Sequence, residues 1–116
     1  MKRIYASVLI TNFNKEKFLL RTLNSCKNQN FKGKEVIIFD DCSTDNSLSV
    51  IKKFKNFKII VNKKKMFKSG PLNQIYALSQ LIKASKGEII FLLDGDDEYK
   101  KDKISEICKL FKKKNR

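Results

Sequence analysis

Apolar and polar residues along this chain recur at two different periods. Short apolar runs rich in β-branched residues stand at Ile4–Thr11 (IYASVLIT), Glu35–Phe39 (EVIIF), Lys58–Asn62 (KIIVN) and Ile89–Leu93 (IIFLL). Runs of this length and composition predict strands, and the unbroken run of five at Ile89–Leu93 predicts a strand buried on both faces. Between the runs the period lengthens. Phe18, Leu19, Thr22, Leu23 and Cys26 fall three and four residues apart, so they predict one face of a helix that Asn14 can cap and that stops near residues 28–30. A turn containing Gly33 follows, and Ser43, Thr44 and Asp45 open a second helix backed by Leu48, Ile51 and Phe54. Pro71 suits the first turn of a third helix, which carries Ile75, Leu78, Leu81 and Ile82 and closes at Lys86 and Gly87. The last helix spans residues 101–114 and carries Ile104, Ile107, Cys108 and Phe111.

The order is βαβαβαβα, with no internal repeat and no linker. Such alternation predicts an α/β domain: a Rossmann-like, open, mainly parallel four-stranded sheet with helices on both faces and right-handed crossovers. Strand ends of a parallel sheet share an edge, and ligands bind in the crevice outside that edge. Three strands deliver polar residues there: Thr11 and Asn12, then Asp40 and Asp41, then Asp94 and Asp96. The last set is the densest. Asp94, Asp96 and Asp97 crowd around Gly95, which lets the backbone turn tightly. Clustered carboxylates repel unless a positive charge sits among them, and a magnesium or manganese ion is the natural candidate. The competing reading is a solvated acidic turn in which Asp97 or Asp102 caps the following helix.

Composition narrows the picture further. The 116 residues are the size of one domain, 1–116, and a 41% hydrophobic share supports a core. The 26 Lys and Arg against 12 Asp and Glu give a formal charge of +14, which favours polyanionic partners. The lysines are spread along the chain and not gathered in one arm, which favours a solvated face over nucleic-acid binding. Three cysteines at unrelated spacings, with no histidine, argue against a disulfide framework or zinc site and for a reducing compartment. The apolar start is too short for a signal peptide and no segment is long enough to span a bilayer, so the expected location is cytoplasmic, including the inner face of the membrane.

The segments SVLITNFNKEKFLLRTLNSCKNQNF, EVIIFDDCSTDNSL and KGEIIFLLDGDDEY, in that order and covering most of the chain, resemble the N-terminal, nucleotide-sugar-binding half of a glycosyltransferase family 2 domain. The resemblance implies the GT-A, nucleotide-diphospho-sugar transferase fold with its acceptor-binding half absent. It implies that Thr11 and Phe13 flank or stack on a nucleobase and that Asp41 accepts a hydrogen bond from it. By the same resemblance the Asp-any-Asp signature falls on Asp94–Gly95–Asp96, with Asp96 as metal ligand and Asp94 as partner to ribose or metal. The implied partners are a UDP- or GDP-type sugar donor and Mn2+ or Mg2+, with an acceptor the sequence does not identify. The family commonly places Ala-Arg-Asn in the third helix, where this chain has Ala77, Leu78 and Ser79. The phosphate charge then falls to Lys63, Lys64, Lys65 or Lys68. No residue is assigned as catalytic base.

Three readings follow. The chain is the donor-binding domain of a metal-dependent glycosyltransferase, too short to transfer sugar alone; or a non-catalytic nucleotide-sugar-binding module; or a basic α/β protein engaging nucleic acid or an anionic membrane surface. Nucleotide binding with and without manganese separates the first two from the third, and sugar transfer or donor hydrolysis separates the first from the second. The surface of a half-domain also predicts self-association as a homodimer.

Overall fold

The computed structural model describes residues 3–114. Its elements are β1 (Ala6–Asn12), α1 (Glu16–Lys27), β2 (Lys34–Asp41), α2 (Ser47–Ile51), β3 (Lys58–Asn62), α3 (Gly70–Ala84), β4 (Ile89–Asp94) and α4 (Lys103–Lys114). The strands form one sheet in the order β3-β2-β1-β4, and every pairing is parallel. All four C-terminal ends therefore share one edge. In register, Thr11 stands beside both Phe39 and Asp94, and Asp41 stands beside Asn62.

The central strand explains the layers. Flanked by β2 and β4, β1 is buried along its whole length, and its side chains alternate between the two faces. Ala6, Val8 and Ile10, with Val36, Ile38, Ile89, Phe91 and Leu93, pack against Leu19, Leu23 and Cys26 of α1, Ile51 of α2, and Ile104 and Cys108 of α4. On the opposite face Leu9, Ile37 and Phe39 pack against Ala77 and Leu81 of α3. Each fully buried leucine or isoleucine contributes roughly 1.5–3 kcal/mol relative to exposure.

Three helices thus cover one face and one helix covers the other, and this asymmetry corrects several expectations. The strand at Ile89–Leu93 is not buried on both faces: Ile89, Phe91 and Leu93 are buried, whereas Ile90 and Leu92 are exposed. The reason is that α3 lies over β1 and β2, leaving that side of β4 bare. Helix α3 buries Asn73, Ala77 and Leu81, so Ile75 and Ile82, expected on its packed face, point outward at 63% and 54% exposure. Phe18 and Phe111, also expected in helix interfaces, are partly exposed. α2 is a single short stretch that ends before Phe54.

The cap of α1 is also reassigned. Lys15 occupies its N-cap position without a side-chain cap, and the amide of Glu16 donates instead to Asp45 Oδ2 at 3.1 Å. Asn14, at φ 51°, turns its side chain to the loop after β2, accepting from the Thr44 amide at 2.8 Å. The loops after β1 and β2 are thereby tied to one another.

Candidate functional site

Alternation along β2 separates two adjacent acids. Asp40 shares the face of Val36 and Ile38 and is fully buried. It accepts from Asn12 Nδ2 at 2.9 Å, from Ser43 Oγ at 2.7 Å and from the Ser43 amide at 3.2 Å. That carboxylate holds the two loops together, with its bonds satisfied inside the protein. Asp41 falls on the face of Ile37 and Phe39, where Asn62 donates to its Oδ1 at 2.9 Å and Lys65 to its Oδ2 at 2.8 Å. The Lys65 ammonium also stands 3.4 Å from the centre of the Phe13 ring.

Thr11 and Asp94 lie side by side on the same face. The Thr11 hydroxyl donates to Asp94 Oδ1 at 2.9 Å and accepts from Gln74 Nε2 of α3 at 3.1 Å. A cleft of about 450 Å³ opens here, lined by Thr11, Phe13, Lys15, Asp41, Asp94 and Asp96 among others. The structure thus brings together the five residues that the resemblance assigns to base, ribose and metal: Thr11, Phe13, Asp41, Asp94 and Asp96. It adds Gln74, Asn62 and Lys15, whose ammonium lies 3.4 Å from Asp96 Oδ2. Gln74 lies on the sheet-facing side of α3, three and seven residues before the buried Ala77 and Leu81, but a lone glutamine at helical spacing does not mark a site.

The acidic turn after β4 is braced from below. Thr22 of α1, a buried hydroxyl on an otherwise apolar face, donates to the Gly95 carbonyl at 2.9 Å and touches that of Asp97. The Tyr99 amide donates to the Ser25 hydroxyl at 3.1 Å, and the Tyr99 hydroxyl donates to the Leu92 carbonyl at 2.7 Å. Gln29 donates to the Lys100 carbonyl at 2.6 Å and accepts from the Ile104 amide at 3.0 Å. Asp94, Asp96 and Asp97 can each bring one carboxylate oxygen within 4.8 Å of the others. Buried Asn12 Oδ1, without a hydrogen-bond partner among the described residues, lies beside Gly95, whose added Cβ would come within 2.4 Å of it. An all-oxygen donor set of this kind suits a hard divalent cation. Of the lysines expected to meet phosphate, Lys65 is engaged at Asp41 instead.

The sequence profile described as glycosyl transferase family 2 matches residues 7–116. The chain belongs to that family. Among its relatives is the poly(ribitol-phosphate) β-N-acetylglucosaminyltransferase TarS of Staphylococcus aureus, 30% identical over an alignment of 103 residues that covers 86% of this chain and 18% of TarS. The S. aureus enzyme TarP, of the same description, is 39% identical over 101 residues, 84% of this chain and 29% of TarP. The family 2 chain therefore spans less than a third of either relative. In three dimensions it matches S. aureus TarS 1–349 with a TM-score of 0.84 at 27% identity, over 94% of this chain and 32% of that one. The same TarS fragment in complex with UDP-GlcNAc matches with a TM-score of 0.79 at 28% identity. The GT-A architecture expected from the sequence is the one found.

Proposed function

We propose that this chain is the donor-binding domain of a metal-dependent glycosyltransferase, taking a nucleoside-diphosphate sugar of the UDP or GDP type for transfer to an acceptor. The observation that carries this reading is the convergence of Thr11, Phe13 and Asp41 with the Asp94–Asp96 turn in one cleft at the C-terminal edge of the sheet. Phe13 offers a ring face to the base, and Asp41 accepts from a base N–H. Asp94, held by Thr11, faces ribose or metal, and Asp96 anchors Mn2+ or Mg2+. When bound, the cation neutralises charge on the departing diphosphate. Gln74 fixes the Thr11 hydroxyl so that it remains a donor toward Asp94. The complex of TarS 1–349 with UDP-GlcNAc supports the donor class.

Calorimetric titration with UDP, GDP and UDP-GlcNAc, with and without manganese, tests the proposal. Metal-dependent binding is the expected outcome, and no binding of any of the three would overturn it. A non-catalytic module with the same donor site would bind alike but neither transfer sugar nor hydrolyse the donor.

Location and assembly belong to the same proposal. No helix of the described residues is long and apolar enough to cross a membrane. We place the domain in the cytoplasm, against the inner membrane face through the lysine-rich outer side of α4, where Leu110 and Phe111 are exposed. Salt-sensitive co-sedimentation with anionic vesicles is the check; sedimentation unaffected by vesicles would remove the membrane from the proposal.

A further inference from the structure

We propose that Lys65 is a built-in occupant of the base subsite, which a nucleobase must displace before it can bind. The inference rests on the reading of Phe13 and Asp41 as the base-binding pair. A base in that subsite must do two things at once: lie on the Phe13 ring and present an N–H to Asp41. The Lys65 ammonium already does both, at 3.4 Å from the ring centre and 2.8 Å from Asp41 Oδ2. A single donor group therefore fills the point where the two contacts of the base intersect. The carboxylate end of the bridge is itself fixed, because Asn62 donates to the other oxygen of Asp41 at 2.9 Å and leaves Oδ2 to Lys65.

The bridge is weak enough to yield. The Lys65 side chain is 34% exposed and Phe13 is 43% exposed, so its cation–π contact and ion pair together favour the closed arrangement by a few-fold to about tenfold. A ligand that binds only the open arrangement has its apparent affinity lowered by the same factor. Lys65 thus sets a threshold on base binding and disfavours groups that offer Asp41 no donor, since these take the ammonium from Asp41 Oδ2 and put nothing in its place. Adenine and cytosine can offer Asp41 only an exocyclic amino N–H, beside a ring nitrogen that accepts and so repels the carboxylate; uracil and guanine present a ring N–H.

The test uses nucleosides, so that loss of a positive charge is not confused with weaker attraction for phosphate. Lys65→Met and Lys65→Arg are titrated with uridine and guanosine by chemical-shift perturbation. Lys65→Met is expected to bind one of them about 3- to 10-fold more tightly than the unmodified chain, and Lys65→Arg, which keeps the charge, is expected not to. Unchanged or weaker binding by Lys65→Met overturns the proposal. The underlying base assignment is tested separately by adding Asp41→Ala to Lys65→Met, where no lysine is left to release. Weakening there upholds Asp41 as base acceptor whatever Lys65 does. No change there removes the assignment, and the proposal with it. In the unmodified chain, the Lys65 ε-methylene resonances are expected to carry an upfield ring-current shift that Phe13→Leu abolishes and saturating nucleoside removes. Persistence of that shift at saturation would also overturn the proposal.

Discussion

Asp40 and Asp41 differ by one position and by half a strand period, and that is enough to give them different work. Asp40 has its acceptors filled by Asn12 and Ser43 inside the protein, whereas Asp41 faces the cleft. Asp96 stands in a third position, beside only the ammonium of Lys15 among the ion pairs of the described residues. Asp96→Ala is accordingly expected to abolish the metal dependence of nucleoside-diphosphate binding, because the ion loses its anchor. Asp41→Ala is expected to weaken binding by roughly 1–3 kcal/mol with metal dependence intact, toward the lower end because the substitution also releases Lys65. Calorimetry against UDP and GDP with manganese compares them. Equal losses with unchanged metal dependence in both would sink the division of labour. The cysteines sort by the same logic of position. Burial pushes the Cys26 thiol up to about 12, against the opposing influence of Ser25 and Lys34, and burial also raises Cys108. Cys42 sits in the loop after β2 at φ 63°, a backbone region that favours glycine, and is only partly covered. Thiol labelling of the native protein should therefore reach Cys42 first, and faster modification of Cys26 or Cys108 would contradict this packing.

At the scale of elements, the far end of the sheet is held by a buried acid that mirrors Asp40. Glu35 of β2 accepts from the Ser7 hydroxyl at 2.6 Å, the Lys86 amide at 2.6 Å and Lys58 Nζ at 3.0 Å. Ser7 in turn accepts from the Gly87 amide at 2.8 Å. Only glycine fits at 87, since a Cβ would come within 2.7 Å of the Ala6 and Ser7 backbone. This network fastens the α3–β4 connection to the sheet. Burial acts to raise the Glu35 pKa, but the bonds from Ser7, Lys86 and Lys58 and the Lys58 charge outweigh it, leaving it below the ordinary 4.5. A carboxylate whose folded pKa is depressed stabilises fully above its unfolded value and loses that contribution as pH falls through the folded one. Glu35→Gln is thus expected to cost roughly 1–3 kcal/mol at neutral pH, with the gap to the unmodified chain closing as pH drops below about 4.5. Urea unfolding midpoints at pH 7 and pH 3 measure it; a gap of the same size at both would refute the assignment.

Much of this was legible in advance, and what was not has a common cause. Strand positions, the βαβ order and the convergence of Thr11, Asp41 and Asp94 follow from local apolar runs and parallel topology. The separation of Asp40 from Asp41 is also written in the sequence, in their parity with Ile38 and Phe39. What escaped depends on which neighbour an element meets. Ile89–Leu93 is apolar throughout, yet whether both faces are covered is decided by where α3 lies. Asn14 has the chemistry of an N-cap, but Thr44 and Asp45, thirty positions away, recruit it. Thr22 and Gln29 look like ordinary helix residues until the turn after β4 docks on them.

For the whole molecule, the bare side of β4 is the feature with the largest consequence. β4 stands at the sheet edge, so one row of its backbone groups lacks a strand partner among the described residues. Beside it Leu92, at 53% exposure, and Ile90 form an apolar strip, and α3 adds the outward Ile75 and Ile82. An uncharged edge strand is a template for pairing, and here a partner strand has to displace the Tyr99 hydroxyl from the Leu92 carbonyl. A two-fold axis through β4 would join two sheets while burying Ile90 and Leu92 of each copy, the self-complementary arrangement a homodimer requires. A stable pairing needs roughly 1,200–2,000 Å² of buried surface in total, which the strip approaches only if the outer side of α3 takes part. The opposing influence is the +14 formal charge, which makes two copies repel until salt screens them. Association is therefore expected to strengthen between low and physiological ionic strength, whereas contact through the lysines and acids of neighbouring copies would weaken. Light scattering across a salt series, on the unmodified chain and on Leu92→Lys, distinguishes the two. A dimer that grows with salt and is lost in Leu92→Lys is the expected result. A strict monomer at every salt concentration would exclude the β4 dimer while leaving the parallel sheet and its cleft untouched.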